Sequence, residues 1–347
     1  MLAVQKISPS RGIELREVLQ PDSLGQRDVL VSVEAAGICG TDLHIAAWTP
    51  GYEAMAAHLP ITLGHEAAGR IERVGSDLEQ SLIGRRVAVR PSVVCHTCAS
   101  CKKERFDLCT KRKGVGVTLD GAFAPFVVVP LENCVFVPSG LSADVAALTE
   151  PMTVCKEAVD TASVSPGDKV LVLGPGAIGQ GIALFAREAG ARSIVVCGYD
   201  DESRLNTVKA LGFEDVVDTQ ELGLYRSVKP WLKDGEFDVV IEATGVPEVV
   251  NDALDVLKIR GILVVAGIHS SFAKIDLTRL VRRQQQVRGS YRAPIPTWEW
   301  VLKYLNDNQD LVKKVITHFV DPADALDGFE LAASKTASKV IIRHRTE

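Results

Sequence analysis

A glycine-rich turn, Gly174-Pro175-Gly176-Ala177-Ile178-Gly179, constrains the fold of this chain more than any other stretch. It follows a run with the composition of a buried strand, residues 169–173, and leads into a helical pattern that continues to Ala189. In that context the glycines let the backbone approach a pyrophosphate, and the helix N-terminus adds partial positive charge. The pattern therefore predicts a dinucleotide-binding turn, with cofactor contacts from Gly174, Gly176, Ala177, Ile178 and Gly179.

Strand and helix patterns alternate beyond this turn. Residues 193–197, 239–242 and 261–265 have strand-like composition, and residues 202–211 and 247–257 have helical periodicity. Alternation of this kind is typical of a doubly wound parallel sheet, so we expect an α/β domain of the Rossmann type.

The residues after the second strand of this unit bear on cofactor choice. Asp200, about twenty residues beyond Gly179, could accept a hydrogen bond from a ribose 2′-hydroxyl and would favour NAD. Arg204 could instead meet a 2′-phosphate and favour NADP. A helix start with Asp201 or Ser203 near the N-cap explains the same residues without a ligand. The sequence favours NAD and leaves NADP open.

The first half of the chain has a different pattern. Short strand-like stretches at residues 28–34, 67–74 and 86–89 are separated by glycine and proline turns. Such spacing indicates a β-rich, barrel-like domain rather than a helical one.

Two groups of metal-ligand residues interrupt these strands. Gly37 and Gly40 break the first strand and place Cys39 and Thr41 on a turn. His65-Glu66 follows Gly64 ahead of small residues. A lone cysteine is more often a core residue, and a His-Glu pair is often only a surface pair. Together, however, thiolate, imidazole and carboxylate form a zinc shell with an open position for water or substrate.

A second group is a cluster of four cysteines, which are Cys95, Cys98, Cys101 and Cys109. Four thiolates at this spacing can enclose one tetrahedral zinc ion, and a closed shell is structural rather than catalytic. An iron-sulfur cluster or a redox disulfide pair is the competing interpretation. We expect His96, inside the cluster, to face solvent. The three remaining cysteines are predicted core residues: Cys134, Cys155 and Cys197.

Charge and composition argue against several classes of partner. The 347 residues carry a formal net charge of -5, and the longest basic run is Lys111-Arg112-Lys113. This is not the electrostatic footprint of a protein that binds nucleic acid or anionic membrane. No apolar run reaches the ~18 residues of a membrane span, and residues 1–10 lack a signal-peptide core. We therefore expect a cytoplasmic protein of about two domains.

The order of the motifs along the chain indicates a family. It is Gly37-Ile38-Cys39-Gly40-Thr41-Asp42-Leu43-His44, then Gly64-His65-Glu66, then the four cysteines, and then Glu150-Pro151 before the glycine-rich turn. Over nearly its whole length the chain thereby resembles the zinc-dependent medium-chain dehydrogenase/reductase family, and within it the sorbitol dehydrogenase-like branch of alcohol and polyol dehydrogenases. The resemblance implies an α/β protein with a GroES-like, partly open β-barrel catalytic domain and a Rossmann domain. It also implies a homodimer or homotetramer.

The resemblance implies domain boundaries as well. Residues 1–153 would form the first segment of the catalytic domain, residues 154–288 the Rossmann domain, and residues 289–347 the return segment. A helix ending near Asn306, a helix at 323–333 and a strand at 338–342 are predicted within the return segment.

The implied reaction is NAD(P)-linked oxidation of a secondary alcohol, a polyol or sugar alcohol, to the ketone, with one catalytic and one structural zinc ion. Cys39 and His65 would bind the catalytic zinc with Glu66 or Glu150, which the sequence does not separate. Thr41 would take the proton of the bound alcohol, and His44 would pass it toward solvent by way of the cofactor ribose.

Substrate contacts are implied for Thr41, Glu150 and an aromatic-arginine pair, Tyr291-Arg292, whose guanidinium would grip neighbouring hydroxyls. Asp42 receives no role. Two other functions stay open: an NADPH-dependent aldehyde or ketone reductase of the same family, and a non-catalytic cofactor-binding protein with only a structural zinc.

Overall fold

The computed structural model describes residues 1–344, which form two compact units. The first unit comprises Met1–Glu150, Pro294–Ser334 and the described residues from Lys339 onward. The second comprises Pro151–Ala293 and Lys335–Ser338. The family resemblance implies boundaries after residues 153 and 288 instead, and it leaves residues 335–338 in the return segment. That short segment packs in the second unit because Ser203 Oγ donates to the Thr336 carbonyl and Gln180 Nε2 donates to Ser338 Oγ.

The first unit is built mainly of β-structure. Its strands are β1 Leu2–Lys6, β2 Glu14–Glu17, β3 Asp28–Gly37, β4 Ile61–Thr62, β5 Glu66–Val74, β6 Arg86–Val89, β7 Ser92–Val93, β8 Lys113–Gly114, β9 Phe126–Pro130, β10 Cys134–Phe136, β17 Ile316–Val320 and β18 Lys339–Arg343. Its helices are α1 Gly40–Ala47, α2 Ala143–Ala146, α9 Ile295–Asp307, α10 Gln309–Val312 and α11 Ala325–Ala333. Helix α3 Thr149–Ala162 starts in this unit with Thr149 and Glu150, and its other residues belong to the second unit.

Strand β3 is the centre of this unit. A seven-stranded sheet has the order β10-β6-β5-β3-β18-β17, with β9 also paired to β3, and β2-β1-β4 forms a separate sheet. Antiparallel pairing of β3 with β5 requires Gly69, because a Cβ there would lie 2.1 Å from the Ser32 carbonyl oxygen. The strands predicted at 28–34, 67–74 and 86–89 are therefore β3, β5 and β6, and all three belong to the same sheet.

The prediction that Cys39 and Thr41 lie on a turn is wrong. Helix α1 begins at Gly40, one residue after Cys39, whose backbone is extended (φ -98°, ψ 156°) and occupies the N-cap position. Asp42 Oδ2 accepts a hydrogen bond of 2.9 Å from the Cys39 N–H. A carboxylate at the third helical position satisfies the donor that precedes the helix, so the glycine-flanked stretch starts a helix.

The second unit contains one six-stranded parallel sheet of order β13-β12-β11-β14-β15-β16. Its strands are β11 Lys169–Leu173, β12 Ser193–Gly198, β13 Val216–Asp218, β14 Phe237–Glu242, β15 Leu257–Val265 and β16 Gln286–Gly289. Its helices are α4 Ala177–Glu188, α5 Glu202–Ala210, α6 Gly223–Val228, α7 Val249–Val256 and α8 Leu277–Arg283, besides most of α3. None of the helices within residues 1–344 is long and apolar enough to cross a membrane.

The glycine-rich turn joins β11 to α4, as the sequence predicts. A Cβ at Gly179 would lie 1.8 Å from the Gly174 carbonyl oxygen, and Gly174 itself has φ +106°. Farther along α4, a Cβ at Gly181 would lie 2.5 Å from Cys155 Sγ, so α4 packs closely against α3. Only glycine permits these approaches. Those at Gly174 and Gly179 fix the shape of the turn, and the one at Gly181 allows the two helices to pack.

Candidate active site

Cys39, His65 and Glu66 converge in the first unit. Cys39 caps α1 just after β3, and His65 and Glu66 stand at the start of β5, where Glu66 pairs with Gly37 at the end of β3. One donor atom from each of the three side chains lies within 4.8 Å of the other two. His65 and Glu66 are buried. Adjacent ends of two paired strands thus bring together residues that are far apart in the sequence.

Asp42 completes this arrangement and is a residue that sequence reasoning missed. It is fully buried, and its Oδ1 lies 3.5 Å from His65 Nδ1. Burial disfavours a charged imidazole, but the Asp42 carboxylate and the Cys39 thiol raise the pKa of His65 well above its usual value. A carboxylate on one ring nitrogen orients the other nitrogen toward a metal. The signal for Asp42 was its helix-capping position three residues after Cys39.

Lys339 is the second residue that sequence reasoning missed. Its Nζ lies 2.8 and 2.7 Å from the two carboxylate oxygens of Glu66 and donates to the Ile38 carbonyl at 3.0 Å. Burial by itself lowers the pKa of Lys339, but the combined attraction of Glu66, Cys39 and Glu150 raises it above its ordinary value. Lys339 and Glu66 are separated by 273 positions, so no local pattern could connect them.

Glu150 lies in the first turn of α3, and burial raises its pKa to about 7. Within the described part of the chain, the compact donor set holds Glu66 and not Glu150. Thr41 and His44 lie one turn apart on α1, and His44 Nδ1 is 3.3 Å from the Thr49 hydroxyl.

The donor set fits a zinc ion. Tetrahedral zinc with N, O and S ligands holds its donor atoms about 3.5 Å apart, so small shifts would close this set around one cation. His65 Nδ1 and Asp42 Oδ1 are buried without a hydrogen-bond partner, and a hydrogen bond between them would leave the second ring nitrogen for the metal. Burial raises the pKa of the Cys39 thiol, and a cation at this position would offset that cost by favouring the thiolate.

The four clustered cysteines form a second compact donor set. Their sulfur atoms all lie within 4.8 Å of one another, with Cys95 and Cys109 3.6 Å apart. Backbone N–H groups of Cys101 and Thr110 help lower the pKa of Cys98 to about 5. Two 3₁₀ turns, Cys101–Lys103 and Phe106–Leu108, are the helical structure between the first and last of these cysteines. Four sulfurs with N–H···S support fit a closed tetrahedral zinc site.

The other cysteines and His96 have the structural positions predicted for them. Cys134, Cys155 and Cys197 are buried in the core. The His96 side chain is half exposed and lies 2.7 Å from a Glu132 carboxylate oxygen.

The residues predicted to select the cofactor lie beside the glycine-rich turn. Asp200 is exposed with φ +50°, and its N–H donates to Asp218. Arg204 donates from Nε to both oxygens of Asp201, at 2.8 and 2.9 Å. Its Nη1 would lie 3.4 Å from a Cβ on Gly176. The guanidinium therefore remains close to the turn, but a carboxylate already balances its charge.

Tyr291 and Arg292 follow β16 in the second unit, where the glycine-rich turn also lies. The Arg292 guanidinium is 4.5 Å from the centre of the Tyr291 ring, and Arg292 has φ +64°. The pair therefore forms one cation-π unit on an exposed loop.

Comparison with known proteins identifies the family to which this chain belongs. Residues 25–139 match the family model of the alcohol dehydrogenase GroES-like domain, and residues 177–307 match that of zinc-binding dehydrogenases. The chain belongs to the zinc-dependent medium-chain dehydrogenase/reductase family, as its motifs predict, and it is a zinc-dependent dehydrogenase that acts on alcohols. The predicted α/β architecture, a GroES-like domain with a Rossmann sheet, is confirmed.

Individual relatives share the whole length of the chain. The L-threonine 3-dehydrogenase of Saccharopolyspora erythraea is 34% identical over 346 residues, which cover 99% of this chain and 98% of the relative. Two solved structures each have a TM-score of 0.87, 26% identity and 99% coverage of both chains: 2R,3R-butanediol dehydrogenase from Bacillus subtilis, and an Escherichia coli short chain alcohol dehydrogenase complexed with NADH.

Proposed function

We propose that this enzyme oxidises a secondary alcohol whose neighbouring carbon carries a second polar group, a polyol or sugar alcohol in the first instance, to the ketone. The observation that carries the proposal is the compact set of Cys39, His65 and Glu66, with Asp42 beside His65 and Lys339 beside Glu66. Threonine and 2,3-butanediol, named for two relatives, share the same pattern of a secondary hydroxyl beside a polar substituent. L-Threonine is therefore the second candidate substrate.

When bound, zinc lowers the pKa of the alcohol and the nicotinamide accepts the hydride. Cys39, His65 and Glu66 would hold the zinc ion, with Glu150 reaching it through a water molecule. Thr41 would accept the proton of the substrate hydroxyl as it releases its own, and His44, one helical turn away, would pass a proton on to solvent. Asp42 keeps the His65 ring in one orientation during these steps.

The proposed cofactor is NAD, bound by Gly174, Gly176, Ala177, Ile178 and Gly179. Asp200 would accept a hydrogen bond from the adenosine ribose. The pairing of Arg204 with Asp201 supports NAD over NADP, because a 2′-phosphate needs a cation whose charge is not already balanced. Tyr291 and Arg292 are the proposed contacts for the second polar group of the substrate, together with Glu150. Cys95, Cys98, Cys101 and Cys109 would bind the structural zinc.

The test is a substrate screen with both cofactors. C4 to C6 polyols, sugar alcohols, 2,3-butanediol and L-threonine are offered with NAD and with NADP, and reduced nicotinamide is followed by absorbance. We expect turnover with a vicinally substituted secondary alcohol and NAD. We also expect Cys39→Ala to abolish it, while Cys134→Ala, a buried cysteine outside both donor sets, retains it.

Three results would contradict the proposal. Full turnover by Cys39→Ala would remove the catalytic ion from the mechanism. Efficient reduction of ketones with NADPH and no oxidation with NAD would favour the reductase. Cofactor binding with no turnover of any alcohol or carbonyl compound would favour a non-catalytic protein.

A further inference from the structure

Strand β13 ends in an acidic residue, Asp218, to which the proposed reaction gives no role. Asp218 is the last residue of the strand, and its side chain is exposed. In the parallel pairing of β12 with β13 it stands opposite Gly198, the last residue of β12. The carboxyl ends of these two strands meet at the edge of the sheet where dinucleotides bind. Asp218 therefore lies beside the loop that contains Asp200, the proposed contact of the adenosine ribose.

Asp218 holds the backbone of this loop by hydrogen bonds. Its Oδ1 accepts from the Asp200 N–H at 3.2 Å, and its Oδ2 accepts from the Asp201 N–H at 3.1 Å. The next residue, Thr219, donates from its N–H and from its hydroxyl to the Gly198 carbonyl oxygen, each at 2.9 Å. Asp200 has the left-handed conformation that side chains rarely adopt, with φ +50°. The turn after β13 thus stabilises the conformation of the proposed ribose contact.

The surroundings of Asp218 favour its charged form. Burial by itself raises the pKa of this carboxyl group, but hydrogen bonds from three backbone N–H groups and the charge of Lys335 lower the pKa below its ordinary value. A carboxylate with several backbone donors stays ionised at neutral pH. The loop after β12 therefore has a lasting negative charge next to Asp200.

Lys335 brings the opposite charge to the same edge of the sheet. It is the first residue of the segment Lys335–Ser338, which packs in the second unit. The next residue, Thr336, accepts a hydrogen bond of 2.8 Å from Ser203 Oγ in the first turn of α5. Because α5 directly follows the loop after β12, this hydrogen bond places Lys335 near that loop, where its charge acts on Asp218.

Arg204 and Lys335 are cations at this edge, and each has an acid beside it. Arg204 Nε donates to both oxygens of Asp201, and Lys335 is attracted to Asp218. NADP differs from NAD by a phosphate on the adenosine ribose, which carries about two negative charges. The Asp218 carboxylate would repel this phosphate and offset the charge of Lys335. An uncharged 2′-hydroxyl would not be affected in this way.

We propose that Asp218 is a specificity-determining residue for the cofactor, because its carboxylate holds the Asp200 backbone, offsets the charge of Lys335 and disfavours a phosphate on the adenosine ribose. The inference rests on the proposed function, since it requires a dinucleotide whose ribose lies near Asp200. It extends the choice of NAD from the loop after β12 to the turn after β13.

The experiment measures the dissociation constants of NADH and NADPH by fluorescence titration at neutral pH and low salt, so that the readout is independent of turnover. Asp218→Asn keeps a side-chain oxygen that accepts a backbone N–H but removes the charge. We expect the ratio of the NADPH constant to the NADH constant to fall about tenfold, mainly through tighter binding of NADPH. Asp218→Ser, which also has an oxygen without a charge, should give a shift in the same direction.

Lys335→Met separates the effect of charge from damage to the loop. It removes a positive charge from the same edge, so the ratio should rise, by about three- to tenfold. A distorted loop would instead weaken both cofactors alike. Salt at about 1 M should reduce both shifts, because it screens charges beyond about 3 Å.

The matched control is Asp168→Asn. Asp168 also accepts a backbone hydrogen bond, from the Ser165 N–H at 2.8 Å, but it precedes β11 at the opposite edge of the same sheet. This variant should keep the wild-type ratio. Thermal unfolding followed by circular dichroism identifies any variant that has lost its fold.

The outcomes are distinguishable from failure of the proposed function. If the wild type binds neither NADH nor NADPH, the proposed function and this inference fall together. If the wild type binds NADH and Asp218→Asn keeps its ratio, or Lys335→Met shifts the ratio in the same direction as Asp218→Asn, the inference alone is overturned. A wild type that binds NADPH more tightly than NADH would overturn the inference and the choice of NAD, while the oxidation of an alcohol would stand.

Discussion

At the scale of single residues, the buried ammonium group of Lys339 is the counterion of the Glu66 side chain. After removal of zinc from both proteins, we expect Lys339→Met to have a free energy of unfolding about 3 to 5 kcal/mol lower than the wild type, because the variant leaves a buried charge without its counterion. Chemical denaturation measures this change. The matched control is Lys303→Met: its side chain is 77% exposed and pairs with Asp307 on the surface of α9, so the loss should stay below about 0.5 kcal/mol. Equal stability of the two variants would contradict the assignment.

His344 gives the protein a predictable sensitivity to acid. Burial lowers its pKa to about 4, from 6.5, and its Nε2 is buried without a hydrogen-bond partner. Between about pH 4 and 6.5 the unfolded chain therefore binds more protons than the folded one, so stability falls as the pH falls through this window. The lowered pKa corresponds to about 3 kcal/mol in full, present above about pH 6.5 and lost by about pH 4.

His344→Gln tests this effect by removing the titrating group. We expect its unfolding free energy to fall less steeply than that of the wild type between about pH 6.5 and 4. His318→Gln, on the surface strand β17, serves as the control and should follow the wild type. If the unfolding free energies of all three proteins changed with pH in the same way, burial of His344 would have no effect on stability.

At the scale of elements, the segment from Cys95 to Cys109 contains two short 3₁₀ turns, and this much secondary structure does not stabilise its fold by itself. We expect the wild type to contain two zinc ions per chain, one for each compact donor set, and Cys98→Ser to contain one. The same variant should be cleaved faster in this segment by a protease, because metal binding supplies the folding free energy of such a loop. Metal analysis and limited proteolysis measure the two effects. Cys134→Ser, in β10, should retain both ions, and loss of zinc from this control would count against the assignment.

Elements that depend on local burial could be predicted from the sequence. Strands at 169–173 and 86–89 have the predicted bounds, since short apolar runs next to turns describe buried strands directly. Helix α1 was missed because two glycines around Cys39 suggest a turn, and its cap depends on a carboxylate within the helix itself. Asp42 and Lys339 show the same limit at the site, since their roles arise from partners that the fold supplies.

At the scale of the whole molecule, the edge of the six-stranded sheet is where we expect a second copy of the chain. Strand β16 is the last strand of the sheet, with no outer partner among residues 1–344, and its Val287 is 38% exposed. Helix α8, which precedes it, exposes Leu277 and Val281 by 66% and 70%. Unpaired backbone groups beside exposed apolar side chains favour association, and pairing with the same strand of a second copy would satisfy both.

Light scattering on the wild type should therefore give at least the mass of a dimer, and the double variant Val281→Glu/Val287→Glu should give the mass of one chain. Charged side chains at the centre of a two-fold interface meet their own copies, and desolvating them costs more than the lost apolar contact returns. Leu19→Glu changes another exposed side chain, 94% exposed in the first unit, and should leave the mass unchanged. NADH titration of the double variant separates dissociation from misfolding, because the glycine-rich turn lies at the carboxyl edge of β11, three strands from β16. A monomeric wild type would rule out the proposed contact. A double variant that remains dimeric would place the contact elsewhere on the chain.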